Sequence, residues 1–330
     1  MKIVIAFIIV LVLAALPYAG IQYAGMSALF GIVIPYAAVA VFILGVVYRI
    51  VKWARSPVPF RITTTCGQEK SLPWIKQNKL DNPSGTAGVL GRMALEILCF
   101  RSLFRNTRTE LREGPRLSYT SSVWLWLAAI AFHWSFLIIL IRHFRLFSQP
   151  VPHFINVIET IDGFLQIGVP TLYVTDVLLL AAVLYLFLRR VVLPQVRYIS
   201  LVADYVPLLL IFGIGLTGVL MRYFFRVNVI GVKELVMGLI AFKPHVPAGI
   251  GTLFFIHLFL IATLFAYFPF SKLMHLGGVF LSPTRNLANN NRMVRHINPW
   301  NYPVHVHTYA EYEDEFRDKM KAVGLPVEKE

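Results

Sequence analysis

The chain alternates long apolar runs with polar segments, and the apolar runs are long enough to cross a membrane. A stretch of about 20 apolar residues spans a bilayer as a helix. Six such stretches, spans one to six, have the approximate bounds Ile3–Ala19, Ser27–Val51, Ser121–Phe147, Pro170–Val191, Leu201–Tyr223 and Pro247–Phe280. The pattern predicts an all-α integral membrane protein with six transmembrane helices.

The amino-acid composition excludes a soluble globular protein. Of the 330 residues, 57% are hydrophobic and only 15% are charged, whereas about 25% are charged in an ordinary soluble domain. The formal net charge is +14, which in a soluble protein would suggest nucleic-acid binding. No nucleic-acid-binding motif is visible, and an excess of Lys and Arg is usual in the cytoplasmic loops of membrane proteins.

Lys and Arg are distributed unevenly among the predicted loops, and this distribution predicts the orientation in the membrane. They are frequent in residues 52–120, in the turn after span four and in the tail after span six, but absent from residues 148–169. Loops rich in Lys and Arg stay in the cytoplasm. We therefore predict a multi-pass protein of the cytoplasmic (inner) membrane with both termini on the cytoplasmic side.

Four histidines fall within or at the ends of two spans. His133 and His143 belong to span three, and His257 and His275 to span six. An ionisable residue at membrane depth is costly and usually has a specific role. A neutral histidine bonded to a carbonyl or a serine is the alternative for a single position, but it explains four histidines in two spans poorly.

The spacing of these histidines predicts two pairs at two depths. Ten residues of helix rise about 15 Å, and eighteen residues rise about 27 Å. Spans three and six run in opposite directions, so His133 and His275 lie near the cytoplasmic side and His143 and His257 nearer the outside. Tilted helices must absorb the difference of about 12 Å between the two rises.

Two histidines on facing helices suit the axial ligation of a haem iron. A zinc site would need three or four ligands in one place, and a proton relay would need carboxylates between the histidines. Cys66 and Cys99 are the only cysteines, which excludes a chain-borne four-cysteine iron–sulfur cluster and a C-x-x-C-H attachment site for c-type haem. We predict two b-type haems (protohaem IX), which would form an electron path across the membrane.

The ten-residue and eighteen-residue histidine pairs resemble those of the di-haem cytochrome b of respiratory nitrate reductase, the gamma-subunit family. Its five spans align with the last five spans here. The segments TTTCGQEKSLPWIK, LDNPSGTAG and PTRNLANNNRMVRHINPWNYPV more closely resemble the DsrM-type membrane cytochrome b of the sulfite-reduction-associated complex. Its archaeal menaquinol-oxidising counterpart is equally similar. This resemblance covers nearly the whole chain.

The resemblance implies a function. Menaquinol would be oxidised near the outer haem, and electrons would pass to the inner haem. A cytoplasmic iron–sulfur subunit related to heterodisulfide reductases (DsrK-like) would then receive them, with further subunits in the same complex. Asp176 and Arg142 are the candidate residues of the quinol site near His143. Asp176 either accepts a quinol proton or caps a neighbouring helix, and Arg142 and Arg145 either pair with haem propionates or anchor the helix end by snorkelling.

The chain divides into three parts. Residues 1–26 form an extra transmembrane helix and a short outer link. Residues 27–281 form the di-haem bundle with the cytoplasmic loop 52–120, and residues 282–330 form a cytoplasmic tail. Apolar residues at helical spacing within 86–106 predict an amphipathic helix that either rests on the membrane surface or packs against protein.

The loop 61–120 and the tail are predicted to dock the iron–sulfur subunit. Trp74, Trp300, Tyr302 and Tyr309 are the kind of aromatic anchors that interfaces favour. The alternative is that the two segments fold on each other and cap the bundle. His305 and His307 form an H-x-H pair in the tail, but the sequence shows no third ligand, so no metal site is expected there.

Three other functions remain open. One is a gamma-type cytochrome b of another respiratory reductase. A second is a haem-free small transporter, although no inverted repeat is visible. A third is a structural membrane anchor, which would leave the four histidines of spans three and six without a role.

Overall fold

The computed structural model describes residues 1–56, 78–114, 116–288, 303 and 305–329, and most of these are helical. The helices are α1 (Lys2–Ala24), α2 (Ile34–Ala54), α3 (Thr86–Cys99), α4 (Arg101–Phe104), α5 (Val123–His143), α6 (His153–Asp162), α7 (Val174–Val192), α8 (Pro194–Ile199), α9 (Val202–Val219), α10 (Val229–Ile240), α11 (Thr252–Tyr267), α12 (His275–Leu281), α13 (Pro283–Asn286) and α14 (Tyr309–Ala322). Two strands, β1 (Thr107–Arg112) and β2 (Arg116–Ser121), complete the described elements.

Five helical segments are long and apolar enough to cross a membrane, so the chain is a multi-pass helical membrane protein. They are Lys2–Ala24, Leu29–Ala54, Val123–Leu146, Val202–Phe224 and Thr252–Phe270, which correspond to predicted spans one, two, three, five and six. Predicted span four is the 19-residue helix α7, which carries Asp176 in its first turn and Arg189 and Arg190 in its last. The count of six spans depends on α7 and remains a prediction.

The long helices form one bundle. Helix α7 packs against both α5 and α9, α9 packs against α11, and α2 lies along α11. Helix α1 packs against both α9 and α11. Apolar side chains of α7, α9 and α11 form the central core, which contains Leu179, Val183, Leu210, Ile211, Leu260 and Leu264. No extensive backbone contact joins α5 to α11, although these two helices carry three of the four predicted haem ligands.

Predicted span six is not one continuous helix, which corrects the sequence interpretation. Helix α11 ends at Tyr267, and 3₁₀ turns cover Phe268–Phe270 and Lys272–Met274. Pro269 has no N–H to donate to a helical hydrogen bond, and Ser271 between the turns is extended (φ −113°, ψ 177°). His275 therefore begins a separate helix, α12, and the expected rise of about 27 Å for one eighteen-residue helix does not apply.

The described part of the loop 52–120 contains a short two-stranded sheet beside its helices. Strands β1 and β2 form an antiparallel hairpin in which Thr107 lies opposite Ser121 and Arg112 opposite Arg116. The helix predicted within residues 86–106 ends at Cys99, because Phe100 adopts the left-handed region (φ 49°) and α4 starts in a new direction. The β-branched and aromatic residues of TRTELR and RLSYTS favour extended backbone, whereas the helical spacing stops before them.

Helix α3 packs against the protein's own chain. The Trp126 indole donates to the carbonyl of Cys99 (2.8 Å), and the Trp134 indole donates to the carbonyl of Leu98 (3.2 Å). The buried Arg92 guanidinium donates to the carbonyls of Arg285 (2.6 Å) and Leu287 (2.9 Å) after α12. The loop and the start of the tail are therefore joined. Cys66, Trp74, Trp300 and Tyr302 lie outside the described residues.

Candidate haem sites and the polar network beside them

The fold brings the histidines of spans three and six together in two pairs. The imidazole centres of His133 and His275 lie 5.9 Å apart with their planes at 82°. Those of His143 and His257 lie 6.4 Å apart with their planes at 19°. These are the two pairs predicted from the depth of each histidine in the membrane. The chain changes direction at the break after α11, which one straight helix could not do.

All four histidines use Nδ1 for a hydrogen bond, and in three of them the partner is a backbone carbonyl three or four residues away. Nδ1 of His133, His143 and His275 lies 2.7 to 2.9 Å from the carbonyl oxygens of Ala129, Ile139 and Lys272 respectively. Carbonyls only accept, so each Nδ1 carries the proton and each Nε2 keeps its lone pair. Such a bond on one ring nitrogen is the usual way in which a protein orients a metal-binding histidine.

His257 is the exception, because its Nδ1 contacts a side chain, the hydroxyl of Thr217, at 2.8 Å. The Thr217 hydroxyl lies 2.8 Å from the carbonyl of Gly213 and 3.0 Å from that of Ile214, and these backbone acceptors take its only proton. It therefore accepts the proton of His257 Nδ1, and Nε2 is again free. Thr217 and His257 are both buried, so this bond is protected from water.

The residues present fit a bis-histidine haem. Metal–imidazole bonds of about 2.0–2.1 Å, plus about 1.1 Å from each nitrogen to its ring centre, put two axial imidazole centres about 6.3 Å apart. The separations of 5.9 and 6.4 Å agree with this value. Helices in direct contact lie about 8–10 Å apart, and two imidazoles with an iron between them need more room, which agrees with the lack of close backbone contact between α5 and α11.

The two pairs, which we call inner (His133 with His275) and outer (His143 with His257) after the predicted orientation in the membrane, have different surroundings. At the inner pair, the rings of Phe100 and Phe132 lie edge-on to His133 at 4.9 and 4.8 Å. Phe100 comes from the loop 52–120, so this loop contributes directly to the site of His133 and His275. At the outer pair, His257 is buried and lies beside Gly218, where an added Cβ would be 3.5 Å from the imidazole Cε1.

A buried ion-pair network lies directly next to the outer pair. Arg142, the residue before His143, is 7% exposed and contacts the carboxylates of Asp162 (3.1 Å) and Asp176 (2.5 Å). Asp162 also accepts hydrogen bonds from the amide (2.9 Å) and hydroxyl (2.6 Å) of Thr175. Arg142 therefore does not snorkel to the membrane surface, which corrects the anchoring interpretation, and Asp176 bonds Arg142 rather than capping a neighbouring helix.

Two arginines enclose the ring of Tyr173 within this network. The guanidinium carbon of Arg142 lies 3.9 Å from the ring centre, and that of Arg222 lies 4.0 Å from it. Arg222 and Tyr223 belong to the π-helical turn Leu220–Phe224 that ends α9. The Tyr223 hydroxyl donates to Asp176 (2.8 Å) and accepts from the Tyr173 amide (3.0 Å). π-turns of this kind are frequent at functional sites.

The sequence interpretation missed several members of this network, namely Asp162, Tyr173, Thr175 and Tyr223, and it also missed Thr217, the partner of His257. Asp162 carried a signal, because it is an acidic residue in a predicted outer loop that lacks Lys and Arg. The others are common residues at unremarkable positions. Arg145, which was grouped with Arg142, instead pairs with Glu159 at 2.8 Å at the protein surface.

Known proteins resemble this chain over most of its length. The profile of the nitrate reductase gamma subunit family matches residues 90–297, which contain predicted spans three to six and all four paired histidines. The Hdr-like menaquinol oxidoreductase cytochrome b-like subunit of Archaeoglobus fulgidus is 46% identical over 282 residues, which cover 83% of this chain and 84% of that protein. The subunit of the same name from Archaeoglobus profundus is 41% identical over 274 residues, 81% of each chain.

The histidine geometry, the matched range and the identity to these relatives lead to one assignment. The chain belongs to the nitrate reductase gamma subunit family of helical membrane cytochromes b, and its role is electron transfer.

Proposed function

We propose that this chain is a di-haem cytochrome b that takes electrons from menaquinol and passes them across the membrane to a cytoplasmic iron–sulfur subunit in dissimilatory sulfur or sulfate metabolism. The observation that carries the proposal is the pairing of four imidazoles at two levels, with every Nδ1 occupied and every Nε2 free. Menaquinol is proposed as the electron donor because both Archaeoglobus relatives are named as subunits of a menaquinol oxidoreductase.

The chain's own residues hold the two proposed haems. His133 with His275 would bind the inner one, and His143 with His257 the outer one. When bound, each haem takes up and releases one electron at a time, so two of them at different depths provide a route through the bilayer. The Nδ1 hydrogen bonds keep the four imidazole rings oriented. They would therefore limit how far these ligands move when the charge of a bound haem changes.

The proposed quinol site lies beside His143, on the predicted outer side. Asp176 is one of the two acidic groups of the neighbouring network, and Tyr223 is hydrogen-bonded to it. Arg142 pairs with Asp176 at 2.5 Å and fixes the position of that carboxylate beside His143. We assign Arg142 to holding Asp176 in place and Asp176 to receiving a quinol proton, which would leave toward the outside. The distribution of Lys and Arg among the loops supports placing His143 toward the outside.

The proposed partner is a DsrK-like iron–sulfur subunit related to heterodisulfide reductases, bound on the cytoplasmic face. Support comes from the loop helix α3, which is joined to the segment after α12 through Arg92, and whose end reaches His133 through Phe100. A partner seated on the loop and tail would therefore lie next to the inner pair. Tyr309, the predicted anchor among the described residues, is half exposed.

Counting the haems in purified protein tests the proposal. A pyridine haemochrome assay should give about two protohaems per chain, as four axial ligands require. His143→Ala should remove the outer haem and retain most of the inner one, whereas His153→Ala, an exposed histidine of α6, should retain both. A colourless protein would favour the transporter or anchor alternatives, and full haem content in the quadruple His→Ala variant would disprove the ligand assignment.

Electron donation is tested separately. A menaquinol analogue should reduce the haems of the wild-type protein under anaerobic conditions and should fail to do so in His143→Ala. Normal reduction of the inner haem in that variant would instead place the quinol site on the inner side. Reduction only by a ubiquinol analogue would indicate a gamma-type cytochrome b of another respiratory chain.

A further inference from the structure

We propose that His305, His307 and Glu311 in the tail bind one divalent transition-metal ion of the zinc class. The sequence shows only the H-x-H pair. The structure adds a third ligand, because ligand atoms of these three residues all lie within 4.8 Å of one another. This site is separate from the four paired histidines and does not depend on the proposed haem function.

The local backbone explains how the three side chains meet. His305 and His307 are two residues apart in a segment that is neither helix nor strand, and side chains two apart in extended chain point to the same face. Their ring centres lie 4.6 Å apart. Helix α14 begins directly after them, with Thr308 as its N-cap and Glu311 in its first turn, so the carboxylate returns toward the two imidazoles.

The ligand atoms are available. The Thr308 amide donates to Oε2 of Glu311 at 2.8 Å, which leaves Oε1 of that carboxylate free to bind a cation. Within the part of the chain that the structure describes, Glu311 forms no ion pair and the two imidazoles have no hydrogen-bond partner. All three residues are exposed, so a metal ion reaches them from solvent.

Two imidazoles and one carboxylate match the chemistry of zinc. Zinc binds His nitrogen and Glu oxygen at about 2.0–2.2 Å, and His₂Glu sites that keep a fourth position for water are common. Tetrahedral ligands at those bond lengths lie about 3.3–3.5 Å apart, so the three atoms need to approach by no more than about 1.5 Å, which small side-chain rotations provide. The fourth position would face solvent.

Zinc binding by the full-length, haem-loaded protein in detergent tests the site. After treatment with EDTA, the protein is dialysed against zinc chloride, and zinc and iron per chain are measured by mass spectrometry. The wild-type protein should bind one more zinc per chain than His305→Ala/His307→Ala. Affinity should fall at least about tenfold in Glu311→Gln, since even outer-shell changes cost about 10–100-fold.

Matched variants separate ligation from folding. Glu311→Gln keeps the capping box, because glutamine also serves at this helix position, and Glu315→Gln removes an exposed carboxylate one turn further along α14. His153→Ala controls for an exposed histidine elsewhere. Equal zinc content in the wild type and the double histidine variant would overturn the site, and unchanged affinity in Glu311→Gln would overturn the three-ligand geometry. Iron content reports the haem sites independently.

Discussion

Among single residues, Thr217 determines how His257 is held. The other three paired histidines bond backbone carbonyls that no substitution removes, whereas His257 depends on one hydroxyl. That hydroxyl is itself oriented by the carbonyl of Gly213. The outer pair is therefore the one whose geometry is sensitive to a conservative side-chain change.

Thr217→Val should weaken haem binding at the outer pair by about 10–100-fold, the usual effect of removing an outer-shell partner of a metal ligand. The change keeps the side-chain shape but removes the hydroxyl that accepts the buried Nδ1 proton of His257. Haem titration of the purified protein and low-temperature absorption spectra measure the effect. Thr217→Ser restores the hydroxyl and should behave like the wild type; equal losses in both variants would contradict the role of this bond.

Arg142 stabilises the fold through its two carboxylates. Arg142→Met should lower the free energy of unfolding by about 3–5 kcal/mol, because it leaves buried carboxylates without their counter-charge. Denaturation followed by haem absorbance measures this change. The matched control is Arg145→Met, whose pair with Glu159 has a 46% exposed arginine side chain and should contribute at most about 1 kcal/mol.

A second substitution distinguishes charge from packing at this position. Adding Asp176→Asn to Arg142→Met removes one of the unpaired charges and should recover part of the lost stability. Equal stability of Arg142→Met and Arg145→Met would show that the buried pair contributes little. Selective loss of quinol-dependent reduction in Asp176→Asn, with normal stability, would support the proposed proton acceptor.

At the scale of elements, Arg92 connects helix α3 to the segment after α12. Its guanidinium donates to the backbone carbonyls of Arg285, Leu287 and Asp81. A neutral side chain of similar length cannot replace these bonds, and the carbonyls would lose their partner. The connection therefore depends on one side chain from the loop and on backbone atoms from the tail.

Arg92→Met should release the segment after α12 while leaving the haem content unchanged. Limited digestion with proteinase K, followed by mass spectrometry, should show faster cleavage after residue 281 than in the wild type. Arg108→Met is the matched control, because Arg108 is exposed and pairs only within the hairpin, with Glu110. Unchanged cleavage in Arg92→Met would show that other contacts hold the segment.

At the scale of the whole molecule, the orientation in the membrane decides which histidine pair faces which compartment. In a background with Cys66 and Cys99 replaced by serine, an impermeant thiol reagent applied to intact cells should label Asn156→Cys and not Lys321→Cys, because Lys and Arg predict opposite sides for them. Both positions are exposed in the structure. Labelling of Lys321→Cys would reverse the topology and the assignment of inner and outer pairs.

Removing the tail tests the docking surface of the whole protein. Truncation after residue 288 keeps the carbonyls of Arg285 and Leu287 that Arg92 binds. The truncated protein should therefore keep both proposed haems, release the proposed iron–sulfur partner and lose electron transfer to it. Normal co-purification and normal electron transfer would show that the partner binds elsewhere.

The sequence by itself determined the elements whose signals are local. Span length and hydropathy predicted four of the long helices within about five residues at each end, because a bilayer-spanning helix satisfies its own backbone and needs only enough apolar side chains. Predicted span six extended past the end of α11. The histidine pairing was also predicted from sequence, because the number of a residue along a membrane-spanning helix sets its depth in the bilayer. The end of the loop helix and the hairpin were missed because a left-handed Phe100 and strand pairing leave weak local signals.

Only the tertiary structure decided which side chains meet. Arg142 and Asp176 are 34 residues apart, and nothing local distinguishes a snorkelling arginine from one enclosed by two carboxylates. The partner of His257 emerged in the same way, because a hydroxyl acquires its role from the groups packed against it. Pro269 in the sequence could have predicted the break after α11. Its consequence is that both histidines of span six meet a histidine of α5, and this depends on how two separate helices, α11 and α12, face α5.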